Sequence, residues 1–163
     1  PFVQNINLFI SGVIDATLAM SYNEILQIRA AGYDISTAIS IADEGYDFPE
    51  DGLYVSEDYF RNNPQTVKAF ADASRKGWEW AQEHPEETLE IVMEKTHSNN
   101  IATNRTHQKW MLEEVLKLNK DTEIGTATYT LKSDQVRRLS DLLVKHGMIS
   151  KPVTYETITG QTL

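Results

Sequence analysis

Near Ser56 the apolar residues of this chain change their spacing, and that change limits the folds open to it more than any other feature. Before it they come in short runs rich in β-branched and small side chains: Val13 to Met20, Ile35 to Ala42 and Leu53 to Ser56. That is the pattern of strands buried in a parallel sheet. After it they recur every three or four residues. Val67, Phe70, Ala71, Ser74, Trp78 and Ala81 mark one face of a long helix, opened by Pro64 where a missing N–H costs nothing.

Helix signals continue to the end of the chain. His84 and Pro85 close one helix and begin another, with Glu86 and Glu87 in its first turn to complement the dipole and Leu89, Val92 and Met93 on its inner face. A polar break at Ser98 to Asn100 precedes a helix of about Thr106 to Leu118, striped by Trp110, Met111, Val115 and Leu118. Ser133 and Asp134 cap a last helix carrying Val136, Leu139, Leu142 and Leu143, stopped at His146 and Gly147. In the first half, Asn7 to Ile10 reads as the end of a short helix, Asn23 and Glu24 open a helix that stops at Ala31 and Gly32, and Glu57 to Arg61 is helical. Asp43 to Gly52 is a loop, and the tail from Ser150 is extended or loosely docked. The sum is an α/β fold with few short strands and a helix-rich C-terminal half.

The 163 residues suffice for one domain and are too few for two ordinary ones. A net charge of −9 argues against a sequence-independent grip on nucleic acid or on an anionic membrane. No run reaches the roughly 18 apolar residues of a membrane span. Without cysteine there are no disulfides, thiolate nucleophiles or Cys-based zinc sites. A parallel sheet is normally flanked by further strands, and the chain starts at Pro1 rather than Met, so a processed or truncated piece of a longer protein is expected.

Several stretches together resemble one family. DATLAMSYNE from Asp15 to Glu24, FPEDGLYV from Phe48 to Val55, NPQTVKAF from Asn63 to Phe70 with KGWEWA and HPEE following, and HQKWML from His107 to Leu112 are similar to elements of SsuA-like and thiamine-pyrimidine-precursor-binding proteins, the solute-binding components of ABC importers. The resemblance implies a partial periplasmic-binding-protein type II fold. Residues 1–45 would be the end of the second lobe with the crossing segment, and 46–163 the mainly helical C-terminal part of the first lobe. It further implies a ligand held in an interlobe cleft, closure about a hinge near Ile39 to Gly45, delivery to a membrane permease, and a periplasmic or extracellular setting with a lipoprotein anchor on the parent. With half the cleft absent, the resemblance leaves open whether such a fragment binds the ligand by itself, and the fragment is expected to dimerise or exchange strands through its uncovered surface.

The candidate ligand residues are Tyr22, Asn23, Glu24, Tyr46 and Phe48. The first three stand where a strand-like run meets a helix, the edge at which open α/β sheets bind ligands. An aromatic face, an amide and a carboxylate suit a flat, nitrogenous solute: the ring stacks, and the carboxylate accepts from an exocyclic amine and a protonated ring nitrogen. The plainer reading is that Asn23 and Glu24 cap the helix and Tyr22 packs at the edge. Tyr46 and Phe48 lie in an acidic loop that lacks EF-hand ligand spacing, and reads as solvated; the resemblance puts them at the rim of the cleft.

His84, His97, His107 and His146 have no zinc-site spacing and read as structural. Trp78 reads as core; Trp80, on another face, reads as a contact for a neighbouring lobe or chain. No catalytic constellation, metal site or cofactor motif is recognised. The leading reading is a non-enzymatic solute-binding module. The alternatives are an enzyme resembling those that make the thiamine pyrimidine, which use a reactive His and a Cys-rich motif, the lack of Cys here counting against it unless the missing half carries that motif, and a helical interaction domain.

Overall fold

A computed structural model describes residues 6–49, 51–119 and 129–160. Among these are eight helices: α1 (Asn7–Ile10), α2 (Glu24–Ala30), α3 (Glu57–Asn62), α4 (Pro64–Glu83), α5 (Pro85–Ser98), α6 (Arg105–Leu118), α7 (Ser133–Lys145) and α8 (Tyr155–Thr159). The described residues of Pro1–Ala38 and Gly77–Thr128 form one compact unit, and those of Ile39–Lys76 and Tyr129–Leu163 a second. The division falls inside α4, between Lys76 and Gly77.

In the first unit, α5 and α6 form the main helix pair. Leu89 of α5 is 1% exposed, and Ala81 of α4 and Leu116 of α6 are buried as well. Gln82 Nε2 donates to the Leu116 carbonyl at 2.9 Å, fastening the end of α4 to α6. Across the solvent side of the pair, Arg105 reaches Glu90 at 2.7 Å and Glu86 at 3.5 Å, and Lys109 reaches Glu86 at 2.8 Å. The short α1 is held by Tyr33, whose hydroxyl donates to the Ile10 carbonyl at 2.5 Å while its ring packs on Phe9.

Two helix stops follow their sequence signals. After α2, Gly32 takes φ +89°; its N–H bonds the Arg29 carbonyl, and the Tyr33 N–H reaches back to Ile28. After α7, Gly147 at φ +68° repeats the arrangement, with the Met148 N–H bonded to Leu143. Both are Schellman stops, which need a left-handed residue that glycine adopts without a Cβ penalty.

In the second unit, α3 is capped by Ser56, whose Oγ accepts from the Tyr59 N–H. Val136 and Ser140 of α7 are buried, and Ser140 Oγ accepts the Val153 N–H at 2.7 Å. That bond docks the tail on α7, so the tail is not merely extended: it contains α8, capped by Thr154 and ended at Gly160. Helix α7 starts as expected, but its N-cap is Lys132, with Gln135 Oε1 accepting the Lys132 N–H.

The three strand-like runs depart from expectation. Among the described residues there is no β-strand, and Val13 to Met20, Ile35 to Ala42 and Leu53 to Ser56 run as turns and irregular backbone. Val13 is 67%, Ile39 79% and Tyr54 82% exposed. A strand is stabilised by its ladder partners rather than by its own residues, and these runs have no ladder partner among the described residues. The helical C-terminal half is present; among the described residues the sheet of the expected α/β fold is not formed. The face expected of α4 is only partly covered as well: Ala81 is buried and Val67 and Ser74 half-buried, whereas Phe70 and Trp78 are exposed.

Candidate ligand-binding site

The start of α2 in the first unit gathers Tyr22, Asn23 and Glu24, all half-buried. Oε2 of Glu24 accepts the Met20 backbone N–H at 2.9 Å, and Oε1 accepts from Asn23 Nδ2 at 3.1 Å. The Asn23 Oδ1 receives Gln27 Nε2 at 2.9 Å and lies 2.9 Å from His107 Nε2 on α6. Asn23 therefore does not cap α2 through its side chain, contrary to the plainer expectation. Its amide is taken up by a network of side chains. Glu24 sits in the first turn of α2, where the dipole favours an anion.

This network has one consistent sense. A carboxylate only accepts, so the Asn23 nitrogen must face Glu24 and its oxygen must face Gln27 and His107. Each Glu24 oxygen offers two acceptor directions and, among the described residues, receives one hydrogen bond. Acceptor capacity remains on both oxygens.

Tyr46 and Phe48 belong to the second unit, so the five expected residues fall in two separate groups. Within their own unit they line an open groove of about 310 Å³ with Gly45, Arg138, Asp141, Leu142 and Lys145. Arg138 Nη2 donates to the Gly45 carbonyl at 2.7 Å, and its guanidinium lies 5.5 Å from the centre of the Phe48 ring. Sequence reasoning missed Arg138, as it missed the partnership of His107 with Asn23: contacts across 93 and 84 residues leave no local pattern.

His84 and Trp80 pair with each other at the end of α4: His84 Nδ1 lies 3.0 Å from the Trp80 carbonyl, and its ring stacks on Trp80 at 4.6 Å. His146 is the C-cap of α7. Trp110 lies under the Arg29 guanidinium at 5.4 Å. Trp78, expected in the core, instead walls an apolar groove of about 160 Å³ with Leu89, Val92, Met111, Leu112 and Val115. Among the described residues, no group of three or more His, Cys, Asp or Glu side chains could hold a metal ion, and no helix is long and apolar enough to cross a membrane.

The NMT1/THI5 like family matches residues 2–88, more than half of the chain. The chain belongs to that family. NMT1/THI5 like proteins have solute-binding or thiamine-precursor-related roles, are mostly substrate-binding proteins, and are typically extracellular or periplasmic. No curated protein and no solved structure matches. The NMT1/THI5 like span contains all five candidate residues, whereas His107 and Arg138 lie beyond it.

Proposed function

We propose that this NMT1/THI5 like chain serves an extracytoplasmic solute-binding protein of an ABC importer, a protein that captures a small, flat, nitrogenous solute related to the thiamine pyrimidine and hands it to a membrane permease. It is a binding function rather than an enzymatic one, in a periplasmic or lipoprotein-anchored setting. The carrying observation is Glu24. Its carboxylate is fixed by Met20 and Asn23 and keeps an acceptor direction on each oxygen.

Such a carboxylate suits an aminopyrimidine, whose exocyclic amine and protonated ring nitrogen present two neighbouring donors. A nearby aromatic side chain, Tyr22, offers a surface for the ring. Tyr46 and Phe48 offer an aromatic surface of the same kind within the second unit. A sulfonate or nitrate-like anion is disfavoured at Glu24 by like charge.

Thermal unfolding in the presence of 4-aminopyrimidine, an aliphatic sulfonate and nitrate tests the proposal. A solute that binds only the folded chain raises its melting temperature, by the equivalent of about 2.7 kcal/mol at a hundred times Kd. The aminopyrimidine alone is expected to do so, and to be recovered unchanged. A rise with the sulfonate instead would contradict the solute class, and conversion of the aminopyrimidine would favour an enzyme.

A further inference from the structure

We infer that His107 is a positioning residue for the Glu24 carboxylate, acting through Asn23. Its role toward a ligand rests on the function proposed for Glu24; its role within the protein does not. Glu24 Oε1 fixes Asn23 Nδ2 as the donor on its side, which leaves Asn23 Oδ1 as the acceptor on the other. His107 Nε2, 2.9 Å from that oxygen, must then carry a proton. Nε2 carries its hydrogen in the Nε2–H tautomer and in the imidazolium, and lacks it only in the Nδ1–H tautomer.

The consequence is geometric. Asn23 has a rotatable amide at a helix start, with its own backbone at φ −136° and ψ −81° and no side-chain cap bond to hold it. Gln27 is exposed and belongs to the same helix, so its bond cannot fix α2 against another element. His107 is half-buried and belongs to α6, whose own first turn is set by Asn104 Oδ1 accepting the His107 N–H at 2.9 Å. The α6 scaffold thus holds the imidazole, the imidazole holds the amide, and the amide aims one carboxylate oxygen. Held in this way, Glu24 loses less freedom when a ligand binds.

Two variants separate this role from simple packing. His107→Gln places a donor nitrogen near the Nε2 position, and His107→Leu fills the space without a donor. Nitrogen-15 NMR of the wild type at neutral pH should show His107 protonated at Nε2 and the Asn23 side-chain amide protected from exchange. In His107→Leu that protection should be lost and affinity for 4-aminopyrimidine should fall about five- to tenfold, as for one lost hydrogen bond; His107→Gln should restore both. An Nδ1–H tautomer, or Asn23 protection unchanged in His107→Leu, would overturn the inference, as would a Gln variant no better than Leu. If the wild type binds no aminopyrimidine, the proposed function fails, and the tautomer and exchange data still decide the role of His107. If the Leu variant does not fold, the wild-type tautomer and the Gln variant decide it.

Discussion

Oε2 of Glu24 accepts the backbone N–H of Met20 at 2.9 Å, closing the first turn of α2 back onto the segment that leads into it. The same carboxylate accepts from Asn23 through its other oxygen. Glu24→Gln replaces one acceptor with a donor that must face a donor. The variant is expected to lose about 1 kcal/mol of stability even without ligand. Chemical denaturation that finds wild type and variant equally stable would show that these bonds contribute nothing in solution.

Arg138 ties α7 to the loop at Gly45 and Phe48 by one charged hydrogen bond and one ring contact. Arg138→Lys keeps the charge but loses the planar fork and the stacking face. Hydrogen exchange at residues 45–48 should quicken, and stability should drop by about 1–2 kcal/mol. Unchanged exchange in that loop would rule out Arg138 as its anchor.

Gly77 lies in the interior of α4, and a Cβ built there meets nothing within 4 Å. Glycine in a helix interior is less favourable than alanine by about 0.5–1 kcal/mol. Gly77→Ala should therefore stabilise the chain by that amount, read as a shift in the urea midpoint at constant slope. A destabilised variant would mean that α4 is not continuous through this residue.

The legibility of this chain divides along the same line as its contacts. The helices from α4 to α7 could be read because their signals are local: Pro64 and Pro85 at helix starts, Gly147 at a stop, apolar residues at helical spacing. Val13 to Met20 misled because β-branched residues tell only what a backbone tolerates, while a strand needs a partner that the run itself does not specify. At the site, Asn23 and Glu24 could be chosen from their place at a helix start. What fixes them could not, because His107 is 84 residues away. Trp78 misled in a third way, since helical spacing identifies a face but not whether anything covers it.

The α5–α6 ion pairs give the chain a pH dependence with a definite sign. The hydrogen bond from Lys109, with its charge and that of Arg105, holds the Glu86 carboxyl below its ordinary value, and the Glu86 partner raises the Lys109 amine. A depressed carboxyl contributes stability that is present above the ordinary Glu range, near 4.3, and is lost as pH falls through the lowered value. A raised amine contributes stability present below the ordinary Lys range, near 10.4, and lost as pH rises through the raised one. Melting temperature measured between about pH 2 and 6 should fall less steeply in Lys109→Met than in the wild type, and the difference should vanish near 1 M salt. Parallel curves at low salt would show that the pair is not formed.

Calorimetric titration of the chain and of its Glu24→Gln variant with 4-aminopyrimidine tests the central claim most directly. The wild type should bind, and the variant should bind at least about tenfold more weakly, a difference of about 1.4 kcal/mol. Equal affinities, or no binding by the wild type, would contradict a solute site built on Glu24.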